Sequence, residues 1–155
     1  MQLDETDIRI LSVLQGNARI TNQELAERVN ISPSPCLRRV RKLEENRVIK
    51  RYVALLDPEA VGQSLQAFIE IRLEHQNPAS VARFEAEVQK FVEVQESYLM
   101  TGEWDFILRV VVSDLQGLQS FHMRKLSKIA GISNLRTSIC LKQAKFSTEL
   151  DLARR

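Results

Sequence analysis

The sequence predicts an α+β protein in two parts, three helices first and a β-α-β-β-α-β unit after them. Three observations predict it. Residues 32–51 read SPSPCLRRVRKLEENRVIKR, a basic helix with seven Lys or Arg residues against only Glu44 and Glu45. From Gln66 the apolar residues change from helical spacing to alternation, so strand logic replaces helix logic. The segments that follow run in the order of a ferredoxin-like unit, in which two helices cover one face of a four-stranded antiparallel sheet. We therefore assign residues 1–60 to a winged-type helix-turn-helix with its exit strand. Residues 61–155 form the ferredoxin-like domain.

From Asp4, a cap candidate, the first segment sets Ile8, Leu11 and Leu14 at helical spacing, and Gly16 with Asn17 supplies a stop. A second helix opens on Thr21 and Glu24, which stand in capping-box spacing, and carries Leu25, Ala26 and Val29 on its apolar face. Only Asn30 and Ile31 separate it from Ser32, a tight connection of the helix-turn-helix kind. Ser32 is the N-cap of the third helix and Pro33 its first residue. At about 100° per residue, Cys36, Leu37, Val40 and Leu43 gather on one side. Ser34, Pro35, Arg38 and Lys42 fall opposite, flanked by Arg39 and Arg41. One face packs; the other is polar and cationic.

That division suits a helix entering the major groove, where arginine grips phosphates or the paired acceptors of a guanine edge. In this geometry the second helix bridges the backbone, so Thr21, Asn22 and Gln23 are candidate phosphate contacts. Glu44 lies about 40° from Val40 on the packed side, where an ion pair with a neighbouring arginine is expected. After Arg47 the segment VIKRYVALL is rich in β-branched and apolar residues and is expected to be a strand, closed by Asp57 and Pro58. Lys50 and Arg51 are either flanking phosphate contacts or solvated charges.

In the second half, Ala67, Ile69, Ile71 and Leu73 alternate with Phe68, Glu70, Arg72 and Glu74. Asn77 and Pro78 start a helix bearing Val81, Phe84 and Val88. Two strands, EVQESYLMT and DFILRVVVS, flank the turn at Gly102, Glu103 and Trp104. Asp114 opens a helix with Leu118, Phe121 and Ile129 that Gly131 ends, and residues 132–142 alternate again through Leu135, Thr137, Ile139 and Leu141. The tail after Phe146 is short and polar enough to be loosely held. A sheet with helices on one face leaves the other to be covered, and pairing of two copies through it would present two DNA-reading units together.

A hydrophobic content of 44% supports a packed core, and the net charge of +2 means that any nucleic-acid surface must come from clustering. There is no run of eighteen apolar residues and no leader pattern, so the expected location is the cytoplasm, with no membrane partner. Cys36 and Cys140 lie far apart and read as buried free thiols. His75 and His122 stand without metal-ligand spacing, no nucleophile sits beside a base, and no glycine-rich phosphate loop is present. Neither a catalytic residue, a metal site nor a cofactor is expected.

The run ISPSPCLRRVRKLEENRVIKRYVALLDP resembles the helix-turn-helix and exit strand of the Lrp/AsnC family of bacterial and archaeal regulators. YLMTGEWDFILRV resembles the Gly-x-x-Asp turn of that family's effector-binding domain. The resemblance runs from about Leu3 to about Leu150. It implies a transcription regulator that dimerises through its C-terminal sheets, often assembles into octamers, and holds a small effector, usually an amino acid, between those domains. The implied effector site uses Thr101, Gly102, Glu103 and Asp105, with Thr137, Ser138 and Ile139 approaching from a neighbouring subunit, and Leu115 helping to shape the pocket. The chemistry fits: an amino acid's ammonium needs an anion, for which Asp105 is the candidate, and its carboxylate needs N–H donors, which Gly102 leaves open. The same residues also make an ordinary β-turn. Trp104 adds bulk that bears on effector size. Two rivals remain, a ligand-independent architectural DNA-organising protein and a small-molecule enzyme on a ferredoxin-like fold.

Overall fold

A computed structural model describes residues 2–152; the outer ends of the two predicted domains, residue 1 and residues 153–155, lie outside the described residues. The chain forms two compact units. One takes the residues up to Leu55 together with those from Lys145 on, and the other is Leu56–Ala144.

The first unit holds α1 (Glu5–Gly16), α2 (Asn22–Arg28) and α3 (Pro33–Glu45). Asp4 and Asp7 cap α1 reciprocally, and Asn17 ends it with its N–H on Val13. Thr21 and Glu24 make the expected capping box on α2. Between α2 and α3 the chain turns through Asn30 at φ 58°, a left-handed conformation that asparagine tolerates better than most residues. Ile10, Leu11, Leu25, Ala26, Val29, Cys36 and Leu43 form the core.

Four expectations for this unit need correction. Leu37 is 39% exposed, because Cys36, Val40 and Leu43 already fill the contact with α1 and α2. Glu44 is exposed and accepts a hydrogen bond from the Tyr52 hydroxyl at 2.9 Å, so its partner is a tyrosine and not an arginine. The exit segment joins no sheet among the described residues, and Tyr52, Val53, Leu55 and Leu56 are exposed; a strand needs a neighbour's N–H and C=O groups, and the chain supplies none there. The tail is not loose. Leu150 exchanges two hydrogen bonds with Gln15 of α1, and Leu152 packs against the core of this unit.

The second unit contains β1 (Leu65–Leu73), α4 (Pro78–Val88), β2 (Val94–Leu99), β3 (Phe106–Val112), α5 (Leu115–Arg124) and β4 (Ile132–Ile139). The sheet order is β2-β3-β1-β4 and every pair is antiparallel. Ala67, Ile69, Ile71 and Leu73 of β1 and Phe106, Leu108, Val110 and Val112 of β3 are buried with Phe84 and Val88 of α4 and Leu118 and Phe121 of α5. The alternating partners, Phe68, Glu70 and Arg72 with Ile107 and Arg109, point to the face without helices. The last helix is shorter than expected. It stops at Arg124, a 3-10 turn covers Leu126–Lys128, and Gly131 at φ 91° leads into β4.

Candidate DNA-reading helix and effector turn

On α3, Ser34, Arg38, Arg41 and Lys42 are exposed, at the i, i+4, i+7, i+8 spacing of one helical face. Arg38, Arg41 and Lys42 take part in no ion pair among the described residues. Ser32 is exposed and its side chain makes no capping bond, while Pro35 is half-buried.

Arg39 is placed differently. Its Nη1 donates to Asp4 Oδ2 and Asp7 Oδ1, each at 2.7 Å, and Asp7 is only 4% exposed. A carboxylate so nearly buried needs a counter-charge, and the guanidinium supplies it from α3. The Asp7 backbone N–H and then Arg39 hold the Asp4 carboxyl below its usual range. Arg39 therefore fastens α1 to α3.

At the start of α2, the Thr21 hydroxyl accepts from the Glu24 N–H at 3.2 Å and donates to Glu24 Oε2 at 2.8 Å. Asn22 Nδ2 donates to the Pro33 carbonyl at 2.9 Å, tying α2 to the first turn of α3, and Asn22 Oδ1 is buried without a protein donor. Gln23 is exposed and makes only a 3.4 Å contact with Glu27. Of the three candidates it is the least engaged.

In the second unit, Thr101, Gly102 and Glu103 are exposed in the β2–β3 turn, with Gly102 at φ 113°, a backbone that disfavours any side chain. Asp105 is only 8% exposed. Its Oδ2 accepts from the Leu73 N–H at 2.7 Å, its own N–H donates to the Ile71 carbonyl at 2.9 Å, and its carbonyl accepts from Met100 at 2.8 Å. The carboxylate thus spends at least one oxygen on sealing the end of β1, and the turn owes its closure to this residue.

The neighbourhood holds residues that the sequence did not single out. Arg72 donates Nε and Nη2 to the Glu103 carbonyl at 2.9 and 2.7 Å and pairs with its carboxylate at 3.2 Å. Two guanidinium groups lie over the Trp104 ring, Arg72 at 5.4 Å and Arg136 at 5.2 Å from its centroid. Arg136 is in turn paired with Glu70. Alternation could put Arg72 and Arg136 on one sheet face, but only the β1–β4 register brings them diagonally together.

Leu115, the first residue of α5, is exposed. Thr137 Oγ1 is 2.9 Å from His122 Nε2, and desolvation lowers the His122 pKa. Ser138 and Ile139 are exposed. Ile71 faces Phe106 on one side and Leu135 on the other, so Thr137, Ser138 and Ile139 lie further along β4 by about 7–14 Å at the usual strand rise. A single chain does not bring them to the Gly102 turn.

Two family models match the chain: a winged helix-turn-helix DNA-binding model over residues 3–50, and the Lrp/AsnC ligand binding domain over residues 66–150. The chain belongs to the Lrp/AsnC family. Similar to it is the leucine-responsive regulatory protein of Rhizobium meliloti, 41% identical over 98% of this chain and 97% of that protein. The protein of the same name in Escherichia coli K12 is 38% identical over 96% of this chain and 90% of its own length. Among solved structures, a Neisseria meningitidis transcriptional regulator in complex with L-Met superposes with a TM-score of 0.92 at 41% identity, covering 98% of both chains. An AsnC family regulator from Agrobacterium tumefaciens gives 0.91 at 39% identity and 97% coverage of each. As an Lrp/AsnC protein this chain is a transcriptional regulator with a DNA-binding and a ligand-binding domain, not an enzyme. No helix among the described residues is long and apolar enough to cross a membrane.

Proposed function

We propose that this cytoplasmic regulator reads DNA with the exposed face of α3 and answers to an amino-acid effector bound in its second unit. The observation that carries the first half is the division of the α3 arginines: Arg39 is neutralised by two carboxylates, while Arg38, Arg41 and Lys42 stand in solvent without an ion pair among the described residues. Cations kept free of partners on one helical face are what a polyanion requires. Arg38 and Ser34 are assigned to base edges, Arg41 and Lys42 to phosphates. Ser32, Pro35, Gln23 and the α2 N-terminus with Thr21 and Asn22 border the contact. Arg39 acts through the α1–α3 junction.

The effector reading rests on the ligand-binding domain and on the relative solved with L-Met. The Gly102 turn, with Thr101 and Glu103 exposed, supplies N–H donors for a carboxylate. Leu115, Thr137, Ser138 and Ile139 complete the pocket across subunits, in a dimer built on the open sheet faces and assembling further into octamers. Asp105 contributes by holding the turn in shape. The test is operator affinity and oligomer size, by gel shift and sedimentation, as each amino acid is added. If neither quantity moves for any of the twenty, the ligand-independent architectural reading replaces this one.

A further inference from the structure

The chain passes between its two units twice, once after Leu55 and again after Ala144, because the residues from Lys145 on belong with the helix-turn-helix. The second passage ends in a defined seat. Gln15, in the last turn of α1, accepts the Leu150 N–H on Oε1 at 2.8 Å and donates Nε2 to the Leu150 carbonyl at 3.1 Å. One side-chain amide thus satisfies both backbone groups of one residue, as a neighbouring strand would, and so fixes the register of the tail. Leu152 packs against the core that contains Ile10, Leu11 and Leu43.

We propose that residues 145–152 are a strap that joins β4 to the last turn of α1, so that a change at β4 reaches the DNA-reading helices through the chain itself. This rests on the reading of the first unit as DNA-binding. Five residues, 140–144, separate the end of β4 from the strap, and a linker of that length spans at most about 18 Å. That length bounds the separation of Ile139 and Lys145, so a displacement at the end of β4 that exceeds it pulls on the strap. At the other end, α1 is fixed to α3 by Asp4, Asp7 and Arg39 and by the shared core. Whatever shifts the strap bears on the placement of Arg38.

Coupling between two sites is reciprocal, so the strap is testable from the DNA side, with no effector. In the full-length protein, double-stranded DNA at low ionic strength is expected to alter hydrogen exchange of the Thr137, Ser138 and Ile139 amides. Gln15→Ala should let the Leu150 amide exchange about ten-fold faster, since the bonds it loses are worth on the order of one such factor. It should also abolish the DNA-induced change at β4 while leaving α3 amides protected and duplex affinity within about two-fold. Leu152→Ser, which unseats the strap from the core side, should give the same result. The proposal is overturned if Leu150 exchanges in the parent at the rate of an unfolded peptide, or if the β4 response survives in both variants. A parent that binds no duplex at all fails in the titration, before any exchange is read, and removes the DNA-reading assignment and the strap's role together.

Discussion

At the scale of single residues, the four arginines and lysines of α3 are placed in two different ways: Arg39 is paired with Asp4 and Asp7, and Arg38, Arg41 and Lys42 are exposed. Arg38→Ala should cost about 1–3 kcal/mol of specific DNA binding and relax sequence preference, as expected for a side chain on a base edge; an equal loss on every sequence would make it a phosphate contact. Arg39 is expected to behave otherwise. Removing its buried partner by Asp7→Ala should lower the stability of the first unit by about 1–3 kcal/mol, the scale of a charged hydrogen bond left unmade, and denaturant unfolding measures it. Asp4 adds a pH dependence. Its folded pKa lies below its ordinary 3.8, so its stabilising share is complete above that value and is lost as pH falls through the folded pKa. Relative to each protein's neutral-pH stability, the parent should lose more than Asp4→Asn as pH falls through that range, measured by denaturant unfolding at a series of pH values. Tyr52, whose hydroxyl partial burial and then Glu44 push up to about 12, stays a donor throughout this range.

At the scale of elements, the helices were legible from their start signals: Asp4, Thr21 with Glu24, Asn77 and Asp114 all cap where side-chain chemistry and spacing placed them, and α3 begins at the expected Ser32 and Pro33 without a side-chain capping bond. The strands β1 and β4 were legible from alternation, although β4 stops at Ile139 and does not reach residue 142. What sequence could not supply was partnership. The exit segment has strand composition but no ladder within the chain, and the tail looked unremarkable because its seat depends on Gln15, far away in sequence. Asp105 illustrates the same limit. The family resemblance marked it as a site residue, yet only the structure reveals that its carboxylate meets the Leu73 N–H. Asp105→Ala should therefore cost the second unit about 1–3 kcal/mol by leaving a buried N–H unpaired. Thermal unfolding followed by the sole tryptophan, Trp104, would detect it. Unchanged stability with lost effector binding would return Asp105 to the ligand.

At the scale of the whole molecule, the proposed pairing of copies rests on the sheet face without helices. It mixes half-buried Phe68 and Ile107 with groups already paired inside the chain, Glu96 with Arg109 and Glu70 with Arg136. Such internal pairing matters, because charges that satisfy one another can enter an interface without being left bare when water is expelled. A two-fold axis then sets the same patch against itself, and any charge placed at its centre meets its own copy. Ile107→Asp is thus expected to shift sedimentation of the full-length protein toward the monomer. Because a dimer offers two reading helices to two half-sites, it should weaken operator binding more than binding of a single half-site. Arg38→Ala acts within each reading helix and should weaken both alike. A parent that sediments as a monomer at the concentrations where it binds its operator, or an Ile107→Asp protein that keeps the parent's mass, would move self-association to another surface and leave the open face without the role assigned to it.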